Sequence, residues 1–150
     1  MKIKVFILIV CFLSFACVAV MAGDLYDNGN GTVTDNNTGL MWQQDDAPLL
    51  MDWEFAIFYC DELSLGGYSN WRLPNIKELV SLTDDTLYNP AIDTNFFPNI
   101  VLDEYGDAYY WSSTTRPTGG PRALTVNFGD GESHSSNKEN SLRGRCVRGF

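Results

Sequence analysis

The chain has 150 residues and carries 19 acidic against 10 basic side chains, a formal net charge of −9. Nucleic-acid binding draws on a basic surface that displaces counterions, so this balance excludes a nucleic-acid partner. One histidine and four cysteines, two of which lie in the apolar N-terminus, also leave too few ligands for a zinc site of the usual composition.

Lys2 and Lys4 precede an apolar run from Val5 to Met21 that only Ser14 interrupts. This is the pattern of a secretory signal peptide over residues 1–22, with cleavage after the small residue Ala22. The alternative is an uncleaved anchor, since about 17 apolar residues just span a bilayer. Ser14, standing where a lipoprotein would carry Leu, argues against lipidation at Cys17. Residues 23–150 then form one domain with no room for a second, secreted or periplasmic and with no membrane partner after cleavage. Of the cysteines this domain keeps Cys60 and Cys146, and an exported pair most simply forms one disulfide. Charge is uneven along it: residues 23–115 hold two basic and sixteen acidic side chains, residues 116–150 six and three.

The first predicted elements are short strands at Thr32-Val33-Thr34 and Leu40-Met41-Trp42, set off by Asn-Gly and Thr-Gly turns. Asp52 is placed to cap a helix whose Trp53, Ala56, Ile57, Cys60 and Leu63 share one face, and Gly66 is expected to stop it. In W-R-L-P, Trp71 and Leu73 point inward and Arg72 is structural. Asn75 and Glu78 form a capping box for a second helix. Thr83–Gly106 has little periodicity and is broken by Asn89-Pro90 and Phe97-Pro98; Ile92, Phe96 and Phe97 are its candidate anchors. Strands follow at Ala108–Thr115, at Ala123–Phe128 with Thr125 and Asn127 on a wet face, and at Leu142–Phe150. The polar run Gly129–Ser141, with His134, reads as a loop.

Asp27, Asn28, Asn30 and Asp35 gather oxygen ligands of the kind Ca²⁺ takes, although Asn-Gly turns use the same residues for backbone reasons. No other cofactor is suggested. No G-x-S-x-G and no Cys/His pair is present for acyl transfer, and the acids read as solvated surface, so the expectation is a protein that is not an enzyme. The four tryptophans read as core. Tyr105, Tyr109 and Tyr110 are candidate contact residues, and Arg116 and Arg122 lead a candidate positive patch that Arg143, Arg145 and Arg148 extend. Loops on a rigid scaffold commonly carry recognition, which places a ligand among Thr83–Gly106, Arg116–Arg122 and Gly129–Ser141.

Taken in order, DNGNGTVTDNNTGLMWQ, W-x-x-A-x-x-Y-C, GGYSNWRLPNIKELVSL, YWSSTT and the terminal RCVRG resemble the bacterial Lcl C-terminal domain family, a domain of unknown function. The resemblance implies an α+β, C-type-lectin-like fold. In that fold two helices flank a small antiparallel sheet, the terminal strands lie together, and one long disulfide, here Cys60 to Cys146, joins the first helix to the last strand. Members are exported and some sit on collagen-like stalks in adhesins, which implies a non-catalytic module binding a glycan or a surface protein. This chain lacks the stalk repeats, and also the Glu-Pro-Asn and Trp-Asn-Asp motifs of Ca²⁺-dependent lectins. The alternative function is a structural or assembly subunit of a cell-envelope complex.

Overall fold

The computed structural model describes residues 25–149. The signal peptide assigned to residues 1–22 lies outside the described residues. Nine elements follow one another: β1 (Leu25–Asp27), β2 (Thr32–Asp35), β3 (Leu40–Gln43), α1 (Trp53–Asp61), α2 (Ile76–Val80), β4 (Tyr109–Thr115), β5 (Arg122–Asn127), β6 (Ser133–Asn137) and β7 (Val147–Gly149). They build an α+β domain with two antiparallel sheets, ordered β1-β2-β3-β7 and β4-β5-β6. One sheet was expected; the strands instead divide because β7 pairs with β3, Val147 opposite Trp42, so the chain's last strand closes its first sheet. No helix among the described residues is long and apolar enough to cross a membrane.

Turn chemistry makes the first sheet. Asp27 Oδ1 accepts the Gly29 N–H at 2.8 Å at the β1–β2 turn, and Asp35 accepts the Asn37 and Thr38 N–H groups at the β2–β3 turn. In α1 the Asp52 side chain accepts the Phe55 N–H, which satisfies an orphan donor of the first turn. Ala56 and Cys60 are fully buried on its inner face. Cys60 is bonded to Cys146, which immediately precedes β7.

Gly66 does not stop α1, which ends five residues earlier at Asp61. Gly66 and Gly67, with φ of 62° and 86°, are instead the centre of a turn closed by reciprocal 3.0 Å hydrogen bonds between Leu65 and Tyr68. Two successive positive φ values are what a type I′ turn requires, and glycine adopts them without a Cβ penalty. The indole N–H of Trp71 donates to both Leu65 O and Tyr68 O, folding this turn back onto W-R-L-P. Arg72 pairs through its backbone with Val147, which leaves Trp71 and Leu73 buried. Its guanidinium forms two bonds to Glu78, at 2.6 and 2.8 Å, and the Asn75–Glu78 capping box is complete.

Three strand expectations need correction. Of the described residues in Leu142–Phe150 only Val147–Gly149 is strand β7, with Leu142 and Arg143 making isolated bridges to Met51 and Tyr110 before it. Thr125 and Asn127 are not on a wet face but as buried as Val126; the Asn127 side chain accepts the Ala108 and Gly129 N–H groups and donates to Asp107, which ties the neighbouring backbone over it. Part of the polar run Gly129–Ser141 is not loop but β6, which carries His134 and pairs with β5 from Arg122↔Asn137 to Val126↔Ser133. Thr83–Gly106 forms neither helix nor strand. Fully buried Ile92 and Phe97 hold it against the core, and hydrogen bonds from Asn89 and Ala91 to the backbone after β5 fix its course.

Candidate functional site

Where the irregular segment leaves α2 and passes the first sheet, it encloses a groove of about 430 Å³, within the size range of small-molecule sites. Leu25 of β1, Asp35 and Asn37 of the β2–β3 turn, the run Ser81–Thr86, Asp93 and Phe96 line it. Aspartate-centred turns shape the wall. Asp84 Oδ1 accepts both the N–H and the hydroxyl of Thr86, at 2.8 and 2.6 Å, and Asp93 Oδ1 accepts the N–H and amide of Asn95, both at 2.9 Å. The Thr86 hydroxyl and N–H hold the Asp84 carboxyl below its usual pKa.

The lining is dominated by acceptors. Asp35, Asp84, Asp85 and Asp93 stand around it, and none belongs to an ion pair among the described residues. Each lining hydroxyl spends its proton within the protein: Ser81 on Glu78 O, Thr83 on Val80 O and Thr86 on Asp84. No lysine or arginine among the described residues lines the groove.

Against Phe96 and Phe97 lies a buried ionic knot. The fully buried Arg145 guanidinium donates to Gln43 O at 2.8 Å, and also to Gln44 O and Asp46 Oδ1. It sits 4.7 Å from the Phe97 ring centre. The Tyr110 hydroxyl donates to the other Asp46 oxygen at 2.5 Å, and burial pushes its pKa far above the ordinary tyrosine value. The Gln44 amide donates to Phe96 O at 3.2 Å. Arg145 and Gln44 thus pin Phe96–Phe97, and with them one wall of the groove.

The residues singled out from sequence are dispersed. Asn28 bonds Thr32 and Thr34, Asn30 accepts from Thr32, and Asp27 takes Gly29 and Gln44. Asp35 sits at the far end of β2 and lines the groove, so these four oxygen donors do not converge. Tyr105 is 82% exposed, whereas Tyr110 is fully buried with its hydroxyl on Asp46 and offers no contact surface. Tyr109 packs edge-on against His134, ring centres 5.4 Å apart; its hydroxyl pKa is raised by burial and then by Asp107 and Asp130. Arg116 and Arg122 meet at Ser135 Oγ, at 3.4 and 3.2 Å. Strand alternation puts Arg122 and Tyr109 on opposite faces of the second sheet. Arg143 and Arg145 face Asp46, while Arg148 bonds Asn70 and stacks over Tyr68 at 3.8 Å, so no extended positive patch forms from these three.

Sequence reading missed one cluster: Asp130, Glu132 and His134 bring ligand atoms within 4.8 Å of one another. Only His134 lies on β6; Asp130 and Glu132 sit in the β5–β6 turn, where Gly131 at a φ of 81° folds them towards the start of the strand. Asp84, Asp85 and Asp93 lie in the Thr83–Gly106 segment where the sequence placed a ligand, but nothing in the sequence indicated that Asp35 is folded beside them.

A family model described as the Lcl C-terminal domain matches residues 31–148. No protein of curated function matches the chain.

Proposed function

This chain belongs to the Lcl C-terminal domain family, and on that premise we propose that it is an exported, non-catalytic binding module of C-type-lectin-like architecture whose acidic groove takes a glycan. Export is supported by the basic-then-apolar leader. The architecture is supported by the pairing of β3 with β7 and by the bridge from α1 to the chain end. The groove carries the functional reading: it joins hydroxyls, carboxylates and the half-buried apolar side chains Leu25 and Phe96 in one concavity, and a sugar ring presents hydroxyls at its edge and C–H groups on its face.

A structural subunit docking to a partner protein is the second reading. One observation favours it: Leu49, Leu50, Phe55 and Phe58 are exposed by 49–68% before and along α1, with the two phenyl rings 6.0 Å apart.

Thermal melting with a saccharide panel, run with and without Ca²⁺, separates the two, since a ligand of the native state raises Tm by linkage. A saccharide that stabilises the parent but not Asp85→Arg supports the groove. No shift with any saccharide, together with one co-purifying protein lost in Phe55→Ser/Phe58→Ser, supports docking.

A further inference from the structure

The exposed apolar side chains at α1 are bordered by acids. Leu49 and Leu50 lead into the helix and Phe55 and Phe58 stand on its outer side, all four exposed by 49–68%. On a helix surface a residue's neighbours lie three and four positions away. Those of Phe58 are Phe55, whose ring centre is 6.0 Å from its own, and three exposed acids, Glu54, Asp61 and the C-cap residue Glu62. None of the three belongs to an ion pair among the described residues. Two of them also oppose the helix itself. Asp61 and Glu62 lie at its C-terminal end, which carries partial negative charge and favours cations, and its last turn holds no basic residue. A cation brought from outside relieves both the crowding of like charges and the clash with the dipole. The inner side of α1 is meanwhile fixed: Ala56 and Cys60 are fully buried, and Cys60 is bonded to Cys146. The outer face is therefore offered on a rigid support, and a partner orders little of this domain on binding it.

Resting on the docking reading of this face, and independent of the groove, we infer that its occupant is a basic amphipathic helix of another protein. Its apolar stripe covers Phe55 and Phe58, and its lysines or arginines lie beside Glu54, Asp61 and Glu62. α1 has nine residues and at 1.5 Å per residue is about 13 Å long, which a partner helix of about three turns covers. The charges decide against other occupants. A second copy docked about a two-fold axis brings the same acids face to face, and like charges across an interface are unfavourable. Helices that lie on a lipid surface carry Lys and Arg beside the apolar face, the reverse of this set.

The test is an anisotropy titration of the chain, as recovered after export, with three labelled peptides of about 14 residues, held helical by a side-chain staple because short free helices are marginal in water. One has leucines on one face and lysines beside them, the second replaces the lysines by glutamates, and the third replaces the leucines by serines. The Leu/Lys peptide should bind at least about tenfold more tightly than either counterpart. Phe55→Ser/Phe58→Ser should remove that advantage. Asp61→Lys/Glu62→Lys should transfer it to the Leu/Glu peptide and also raise Tm, because the new charges suit the helix end. If either double variant fails to fold, Phe58→Ser and Glu62→Lys alone carry the same comparisons. Equal binding of the Leu/Glu peptide, with affinity still lost in the phenylalanine variants, overturns the basic partner while the docking reading survives. Equal binding of the Ser/Lys peptide, unchanged affinity in the phenylalanine variants, or no binding of any peptide defeats the docking reading together with the inference. Self-association in sedimentation that Phe55→Ser/Phe58→Ser abolishes would make the occupant a second copy. Binding to phosphatidylglycerol vesicles through the same two residues would make it a membrane, and either result overturns the inference.

Discussion

Replacing Arg145 by alanine should unpin the groove wall and destabilise the whole domain. Arg145 is fully buried and Asp46 nearly so, so the substitution strands a buried carboxylate and leaves the Gln43 and Gln44 carbonyls short of a donor. Breaking a buried pair from one side costs about 3–5 kcal/mol, against a total stability of roughly 5–15 kcal/mol for a domain. At about 4 °C per kcal/mol for a chain of this size, Tm should fall by about 12–20 °C. Removing both partners costs less than the sum of the single losses, so Asp46→Asn/Arg145→Ala should recover at least about 1 kcal/mol in a double-mutant cycle. The pH dependence has a definite sign. Burial already holds the Asp46 carboxyl above its usual pKa while Arg145 opposes the shift, so loss of Arg145 raises it further. A carboxyl whose folded pKa exceeds the unfolded one favours the folded state when protonated. The damage in Arg145→Ala should therefore be largest at neutral pH and ease as pH falls through the folded pKa. Urea denaturation at several pH values measures this, and hydrogen exchange at Phe96 and Phe97 should quicken in the variant. A loss below about 1 kcal/mol at pH 7, or an additive cycle, refutes the pinning role.

Gly129→Ala would set its Cβ 1.9 Å from the Gly106 carbonyl oxygen, a backbone atom that cannot swing aside, so a loss above about 3 kcal/mol or failure to fold is expected by thermal melting. Gly120→Ala meets nothing within 4 Å and should cost only about 1–2 kcal/mol for its left-handed conformation. Acid should weaken the W-R-L-P corner: the Arg72 hydrogen bond lowers the Glu78 pKa, so its contribution is present above the unfolded value and is lost as pH falls through the folded one. Glu78→Gln should flatten that part of the stability profile, as read by urea midpoints at a series of acidic pH values. Reducing Cys60–Cys146, which closes a loop of separation 86, should lower stability by up to about 4.6 kcal/mol; two free thiols in peptides from the oxidised protein would contradict the bridge.

Local chemistry was legible in the sequence wherever one residue type satisfies a local demand. The Asp52 cap, the Asn75–Glu78 box and the inner face of α1 follow from spacing alone, because an orphan N–H or an apolar stripe admits few solutions. Gly66-Gly67 misled, since glycine suits both a helix terminus and a type I′ turn, and only Tyr68 returning to Leu65 decides between them. The strand Ser133–Asn137 carries no apolar period because it is a sheet edge stabilised by backbone pairing to β5. Thr125 and Asn127 alternate like a solvent-facing set, yet both are buried, Asn127 under the backbone that its side chain ties down. The site was half visible: a long stretch without periodicity marked Thr83–Gly106 as a carrier of recognition. The opposing wall, where β1–β2 pairing sets Leu25 beside Asp35, lies some fifty residues earlier in the sequence and meets the irregular segment only by tertiary packing, which no local pattern reports.

Resonance-by-resonance NMR titration with the saccharide of the panel that raises Tm most tests the binding claim most directly. Saturable shifts should concentrate at Asp35, Asn37, Ser81–Thr86 and Asp93–Phe96, the residues that enclose the groove. Shifts confined to the Arg116–Arg122 loop or to the outer face of α1 at Phe55 and Phe58, with the groove silent, would contradict the account.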